Sequence, residues 1–104
     1  MIKTQPQASS ITLENVLYAL ADPVRLQIAR ALWQADAPLT CTQSVKNIQD
    51  LAISTRSHCF KILREKGVIT SETKGRECYN SLRTNDINQL QPGLLAAILD
   101  ERRV

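Results

Sequence analysis

The chain of 104 residues has room for one hydrophobic core, and its apolar fraction of 43% is too high for a disordered protein. Three cysteines without metal-ligand spacing argue against a secreted disulfide scaffold, and no segment approaches the roughly 18 apolar residues of a membrane span, so we expect a soluble cytoplasmic protein. The net charge of +3 is concentrated in residues 54–83, where seven Lys or Arg stand against three Glu; this favours a polyanion partner, although a solvated basic surface has the same composition.

Two helices are predicted after an N-terminal arm. Residues 1–11, rich in Gln, Ser and Thr, are interpreted as a flexible arm, and residues 12–104 as a single domain. Thr12 is suited to cap a first helix, in which apolar residues recur at helical spacing. Asp22 caps a second helix with Pro23 in its first turn, and apolar residues on several of its faces predict a mostly buried central helix.

Two further helices joined by a tight turn are expected in the middle of the chain. Thr40 or Thr42 can cap the third helix, and Ser54 is the expected N-cap of the fourth. Gly67 supplies the left-handed residue that ends the fourth helix, and Asp50 stands in the turn where glycine is common. This spacing predicts a helix-turn-helix unit.

The apolar period changes from helical to alternating after Gly67. Residues 68–73 and 77–82 are rich in strand-favouring side chains, and the three residues 74–76 between them, Lys-Gly-Arg, predict a hairpin loop. A hairpin that directly follows a recognition helix is called a wing. Its cationic tip suits contact with phosphates or with the minor groove.

A final helix is expected from Pro92 to about Arg102, after a helical turn at residues 86–90. Its apolar stripe needs a surface to cover, either on its own domain or on the first helix and a second copy of the chain. The predicted fold is therefore mainly α with a small β-hairpin, a winged helix-turn-helix with the order α-α-α-α-β-β-α.

Three stretches, taken together, carry a family resemblance. They read ALADPVRLQI at residues 19–28, STRSHCFKILREKGVI at 54–69 and YNSLR at 79–83, and PGLL follows at 92–95. From about residue 12 to the end, the chain resembles the ArsR (arsenical-resistance repressor) family of bacterial winged helix-turn-helix regulators. The resemblance implies a homodimer built on the first and last helices, which binds double-stranded DNA in the major groove and represses transcription until a signal relieves it.

The metal sites of many ArsR regulators have no match in this sequence. Cys41 lies near the place of a C-x-C pair, but Gln43 occupies the position of the second thiolate, and the last helix contains no His. The resemblance is therefore to the non-metal-binding branch, and no metal or other cofactor is expected. An effector of unknown nature is compatible with this assignment.

The fourth helix is expected to turn an apolar arc, with Phe60 and Leu63, to the core and a polar arc to DNA. Ser and Thr can bond bases or phosphates, and Lys can reach guanine or a phosphate oxygen. The predicted DNA-binding residues on this helix and at the wing tip are Ser54, Thr55, Arg56, Ser57, His58, Lys61, Lys74 and Arg76.

The predicted dimer interface consists of apolar residues on the first and last helices. Two recognition helices related by a two-fold axis would read an inverted repeat with half-sites about 34 Å apart. The interface residues are Leu13, Val16, Leu17, Leu20, Leu94, Leu95, Ile98 and Leu99.

Other functions receive less support from the residues. With one His, three Gly and no nucleophile motif, the chain has no expected catalytic residue and is not expected to be an enzyme. A winged-helix module that binds protein instead of DNA stays open, as does a redox-sensing repressor in which Arg56 and Lys61 lower the pKa of Cys59. The preferred expectation for Cys59 and Cys78 is burial as small apolar side chains.

Overall fold

The computed structural model describes residues 5–100. None of the helices in this range is long and apolar enough to span a membrane. The predicted winged helix-turn-helix is confirmed, and the helical turn expected at residues 86–90 belongs to a complete helix, α5 (Thr84–Leu90). A two-residue strand, β1 (Leu39–Thr40), and a 3-10 helix at Ala8–Ser10 were not predicted. The helices are α1 (Leu13–Leu20), α2 (Pro23–Gln34), α3 (Cys41–Ser44), α4 (Ile53–Glu65), α5 (Thr84–Leu90) and α6 (Leu94–Leu99), and the strands are β1 (Leu39–Thr40), β2 (Ile69–Lys74) and β3 (Glu77–Leu82).

The junction between α1 and α2 is fixed by the short segment that carries much of the family resemblance. The Asp22 carboxylate accepts hydrogen bonds from the backbone N–H groups of Val24 and Arg25, both at 3.0 Å, and Pro23 occupies the first turn of α2. The Arg25 side chain reaches back to α1, where its Nε donates to the carbonyl of Ala19 at 2.7 Å. One segment therefore begins a helix and satisfies a terminal carbonyl of the helix before it.

The helix-turn-helix unit has the predicted helices but one different cap. Thr40 caps α3 through a capping box, since its Oγ1 accepts from the Gln43 N–H at 3.1 Å and Gln43 Oε1 accepts from the Thr40 N–H at 2.9 Å. Asp50 has a φ of 56°, as expected of a residue that replaces glycine in the turn. The prediction that Ser54 caps α4 is wrong: the N-cap is Ala52, which holds the extended N-cap conformation, and the helix begins at Ile53, two residues earlier than expected.

The end of α4 depends on glycine for two reasons. Gly67 has a φ of 83°, as predicted, which is the left-handed conformation that other side chains rarely adopt. A Cβ at this position would also lie 2.6 Å from Cγ1 of Ile11, which is buried beside it. The turn into the wing is thus packed directly against the N-terminal segment.

Part of the predicted arm lies against the domain. The backbone N–H of Ser71 donates to Oε1 of Gln5 at 2.7 Å, and Nη1 of Arg83 donates to the carbonyl of Pro6 at 2.6 Å. Residues 1–4 lie outside the described residues. The domain boundary at residue 12 and the flexibility of the arm stay predictions.

The strands form an antiparallel sheet in the order β1-β3-β2. The wing is the β2–β3 hairpin, in which Lys74 pairs with Glu77, so its loop consists of Gly75 and Arg76 alone. The predicted three-residue loop was therefore one residue too long. Gly75 has a φ of 63° at the first loop position, where two-residue hairpin loops require a positive φ.

The core is organised around α2, which contacts α1, α3, α4, α6 and β3. Ile28 and Ala29 of α2 are fully buried, which confirms the predicted central position of this helix. Phe60 and Leu63 of α4 and Leu99 of α6 are buried as well. Burial of each Leu or Phe side chain contributes about 1.5–3 kcal/mol, so the position of α4 is set by its inward face.

The last helix is shorter at its start than predicted. Gly93 has a φ of 82°, so regular helix begins at Leu94 and not at Pro92. The helix also ends earlier than the predicted Arg102, because Asp100 after Leu99 is extended and closes the helix; residues 101–104 lie outside the described residues.

Two side-chain hydrogen bonds attach the end of α6 to α2. Nη2 of Arg30 donates to the carbonyl of Ile98 at 3.3 Å, and the indole N–H of Trp33 donates to the Asp100 carboxylate. The apolar stripe of α6 was expected to cover either its own domain or a second copy of the chain. In the single chain, α6 packs on its own domain, against α2.

Candidate nucleic-acid interface

The recognition helix α4 turns an apolar face to the core and a polar face to solvent. Cys59, Phe60 and Leu63 are buried, in agreement with the predicted inward arc. A surface helix with hydroxyl, imidazole and ammonium groups on its free face can donate to and accept from base edges in a major groove. Among the predicted DNA-binding residues of α4, Ser54, Thr55, Ser57, His58 and Lys61 are exposed and Arg56 is half-buried.

The first turn of α4 leaves backbone donors available. Ala52 has no side chain that can accept a hydrogen bond, and the Arg56 N–H is the donor that closes the first helical turn, to the Ala52 carbonyl at 2.9 Å. The N–H groups of residues 53–55 therefore have no acceptor within the helix. Together with the positive end of the helix dipole, they suit this end of α4 to a phosphate oxygen.

Ile53 is a surface residue that the sequence analysis missed. It is the first residue of α4, and 71% of it is exposed, the largest value for a big apolar residue in the described part of the chain. With Ser54 as the expected N-cap, Ile53 would precede the helix and would not belong to its first turn. The sequence offers only a weak signal for this residue, namely an Ala followed by an apolar residue. That pattern is informative only when the first residue of the helix is already known.

The wing tip is cationic and open to solvent. Lys74 and Arg76 are exposed, and Gly75 between them has open space around its Cα. Lys74 Nζ lies 3.5 Å from Glu72 Oε1, an exposed ion pair that contributes at most about 1 kcal/mol and leaves the ammonium able to exchange partners. Within residues 5–100, Arg76 forms no ion pair. The two cations are thus available for phosphates.

A buried polar group links the wing to the helix-turn-helix unit. Asn80 on β3 is fully buried, and its Oδ1 accepts from Ser71 Oγ on β2 at 2.7 Å. Its Nδ2 donates to the carbonyl of Leu39 at 3.2 Å and to Sγ of Cys41 at 3.4 Å, at the start of α3. Asn80 therefore joins both strands of the wing to β1 and α3, and its role in positioning was not apparent from sequence.

The structure does not support the hypothesis that Cys59 is a redox-sensing thiol. Cys59 is only 3% exposed, and its pKa is raised, first by burial and then by the Asp22 carboxylate, with Arg25 opposing the shift. The hypothesis that Arg56 and Lys61 lower the pKa of Cys59 is wrong, because the thiol lies on the inward face of α4.

The expected burial of small thiols is confirmed at Cys59, whereas Cys78 on β3 is half-buried. All three cysteines of the chain are free thiols. The described residues contain no group of three or more His, Cys, Asp or Glu that could hold a metal ion.

The predicted dimer residues fall into two sets in the single chain. Four of them are core residues and offer no surface to a partner, namely Val16, Leu20, Leu95 and Leu99. The other four retain exposed area, with Leu17 at 44% and Leu13, Leu94 and Ile98 half-buried.

The α3–turn–α4 unit followed by the β2–β3 wing defines a winged helix-turn-helix protein, a class whose second helix in the unit enters the DNA major groove. No family model matches the chain. Whole-chain similarity to known proteins, however, identifies its family.

The chain is 30% identical over 95 residues to the uncharacterized HTH-type transcriptional regulator YceK of Bacillus subtilis (strain 168), a match that covers 91% of this chain and 94% of that protein. It is 34% identical over 89 residues to the arsenical resistance operon repressor of the same organism, covering 86% and 83% respectively. The chain therefore belongs to the ArsR family of winged helix-turn-helix transcriptional regulators, which are DNA-binding proteins and not enzymes.

Solved structures share the fold. A crystal structure of an ArsR family transcriptional regulator superposes with a TM-score of 0.67 at 22% identity, covering 82% of this chain and 90% of that chain. The transcriptional repressor BigR from Xylella fastidiosa superposes with a TM-score of 0.63 at 21% identity, covering 86% and 88%. At this level of identity the likeness concerns the fold.

Proposed function

We propose that this protein is a cytoplasmic transcriptional repressor that binds an inverted repeat in double-stranded DNA as a homodimer. The observation that carries the proposal is the free polar face of α4, followed after Gly67 by a wing whose tip presents two exposed cations. A polar recognition helix and a basic hairpin are the two parts that a winged helix needs to bind DNA.

The two parts have different tasks in this proposal. Lys74 and Arg76 bind phosphates and give affinity that is independent of sequence and sensitive to salt. Residues 53–58 and Lys61 approach base edges in the major groove, where hydroxyls and the ammonium can discriminate between bases. The free backbone N–H groups of the first turn of α4 supply a further phosphate contact.

The dimer interface is proposed on α1 and α6, at the four predicted residues that keep exposed area. Leu17 is the most exposed of them, and Leu13, Leu94 and Ile98 extend the apolar surface. To read an inverted repeat, the proposed two-fold dimer has to present both copies of α4 on one side, about one helical turn of DNA apart, near 34 Å.

Repression is the regulatory outcome that we propose, because a dimer bound at a promoter occludes RNA polymerase. The name of the arsenical resistance operon repressor, which is 34% identical, supports this direction of control. The winged helix that binds protein instead of DNA is the rival, and the apolar exposure of Ile53 is the one observation in its favour.

The test is fluorescence anisotropy of the protein on DNA from the region upstream of its own gene, titrated with salt. We expect Arg76→Ala to weaken binding and to reduce the salt slope by about one unit, as for one lost phosphate contact. Lys61→Ala should weaken binding more on the preferred sequence than on random DNA. Lys66→Ala is the matched control, because Lys66 lies at the other end of α4 against the Tyr18 ring. Weak, salt-insensitive binding by all four proteins would sink the proposal and favour the protein-binding rival.

A further inference from the structure

A cleft of about 670 Å³ lies between α2 and the helix-turn-helix unit, away from the polar face of α4. One wall is formed by α2 and the residue after it, and the other by β1, the end of α3 and the segment that follows α3. The lining residues are Gln27, Arg30, Ala31, Gln34, Ala35, Leu39, Gln43, Ser44, Lys46, Asn47 and Ile48. Cavities of roughly 300–1,000 Å³ are the size that holds small-molecule ligands in proteins. The cleft is therefore large enough for a metabolite-sized molecule.

The charge of the cleft has one sign. Arg30 projects from α2 and Lys46 from the segment after α3, and the residues that line the cleft include no Asp or Glu. Neither cation forms an ion pair with any residue between positions 5 and 100. The neutral lining includes the side-chain amides of Gln27, Gln34 and Asn47, each of which can donate hydrogen bonds.

Arg30 is only partly satisfied by the protein. Its Nη2 donates to the carbonyl of Ile98 at 3.3 Å, whereas its Nε is buried and finds no acceptor among the described residues. A buried charged donor without an acceptor lowers the stability of the fold. The guanidinium cannot avoid this cost by losing its proton, because it stays protonated in proteins. A carboxylate or phosphate oxygen is the partner that the planar fork of Arg binds best.

We propose that this cleft is a binding site for a small organic anion, with its carboxylate or phosphate group held by Arg30 and Lys46 and its polar remainder by the amides. The proposal concerns ligand binding alone and does not depend on the proposed DNA function. The chemistry that it requires of the ligand is one anionic group and a polar body small enough for the cleft.

The position of Arg30 gives such a ligand two elements to act on. Arg30 also holds the end of α6 through Ile98, and the opposite wall of the cleft belongs to the helix-turn-helix unit. An anion that draws the guanidinium into the cleft changes its bond to α6, and an anion that contacts Lys46 changes the spacing of α2 and α3. The same site therefore touches the helix proposed for dimerisation and the unit proposed for DNA binding.

The test is isothermal titration calorimetry of the full chain, without DNA, with inorganic phosphate, citrate and glucose 6-phosphate at constant ionic strength, and with glucose as the uncharged control. We expect at least one anion to bind at millimolar concentration or below and glucose not to bind. Lys46→Gln and Arg30→Gln should each weaken binding of that anion about tenfold or more, as for loss of one charge-assisted contact.

The matched control is Lys66→Gln, which removes the same charge at the end of α4 beside Tyr18, outside both the cleft and the proposed DNA surface, and should leave anion binding unchanged. If Arg30→Gln fails to fold by circular dichroism, Lys46→Gln decides the question, because Lys46 is exposed and its loss leaves the core intact. No binding of any of the three anions overturns the proposal. Binding that survives Lys46→Gln but is lost in Lys61→Gln overturns it too, since the anion would then sit on the α4 face.

Discussion

Ser71 and Asn80 face each other across the two strands of the wing, and the Ser71 hydroxyl donates to the Asn80 side-chain carbonyl at 2.7 Å in a site with almost no solvent exposure. The same amide donates to the carbonyl of Leu39 on β1. A polar pair inside a small core is stable only when its groups are satisfied, so the contact fixes the register of all three strands. The wing therefore has a defined position relative to α3 and α4.

Asn80→Leu is expected to lower the free energy of unfolding by about 2–3 kcal/mol, because the buried Ser71 hydroxyl and the half-buried Leu39 carbonyl each lose a hydrogen-bond partner. Urea unfolding followed by circular dichroism measures the loss. The double variant with Ser71→Ala should recover part of it, since one of the two orphaned groups is then absent. Asn85→Leu, at an exposed position of α5, is the control and should change stability by no more than about 0.5 kcal/mol.

Ala52→Ser is expected to stabilise the protein by about 1 kcal/mol, because a hydroxyl at the N-cap can accept a hydrogen bond from the first turn of α4. Urea unfolding checks the change, with Ala97→Ser, at an exposed position of α6, as a control that should not stabilise. A destabilised Ala52→Ser protein would contradict the assignment of Ala52 as the cap. The added hydroxyl also competes with phosphate for the same N–H groups, so DNA affinity should not rise with stability.

Ile53 is expected to contact the methyl group of a thymine, because it is the exposed apolar residue at the end of α4 that approaches the bases. Ile53→Ala should weaken binding to a duplex selected from a random-sequence pool. Replacement of each thymine in turn by deoxyuridine should weaken wild-type binding about fourfold at one position, which corresponds to one buried methyl group, and should have no effect there on Ile53→Ala. Wild-type protein that tolerates deoxyuridine at every position would rule out the contact.

Leu17→Glu is expected to convert the protein to a folded monomer. Leu17 is 44% exposed, so the charge is solvated in the single chain, but it is buried without a partner in the proposed α1–α6 interface. Sedimentation equilibrium measures the mass, and circular dichroism verifies the fold. Leu90→Glu, at a leucine of α5 with similar exposure, should leave the oligomeric state unchanged. Equal masses for wild type and Leu17→Glu would place the interface elsewhere or remove it.

Cys59 is expected to react slowly with a thiol reagent in the native protein, because burial raises its pKa and the thiolate is the reactive form. Raising the pH above about 8.5 should also lower the free energy of unfolding. The thiol ionises near this pH in the unfolded chain, whereas the folded protein keeps Cys59 protonated to higher pH. Cys59→Ala should reduce this alkaline loss and Cys78→Ser should not. Rapid labelling of Cys59 at neutral pH would contradict the burial.

The helices and the wing were predictable where single residues have strong local preferences. Asp22, Thr40 and Gly67 each mark a helix end through a hydrogen bond or a left-handed conformation that few other residues supply. The start of α4 was not predictable in the same way. Ala52 has no capping preference, and Ser54 two residues later mimics one, so the local rule favoured the wrong residue.

The sheet edge and the cleft depend on contacts between distant residues, which no local pattern records. The third strand, β1, has only two residues, and it pairs with β3 about forty positions later. Arg30 and Asn80 have ordinary surroundings in sequence, and their importance follows from which atoms lie opposite them in the fold. The polar face of α4 was predictable because a single helix determines it.

The contact between Gln5 and Ser71 has a consequence for the solubility of the chain. β2 is an edge strand of the sheet, and the Ser71 N–H on this edge donates to the side chain of Gln5. Without Gln5, this N–H could pair with a strand of another molecule. The N-terminal segment therefore covers part of the exposed edge of β2. A shortened chain that starts at Thr12 would leave that edge open to pairing with strands of neighbouring molecules and to aggregation.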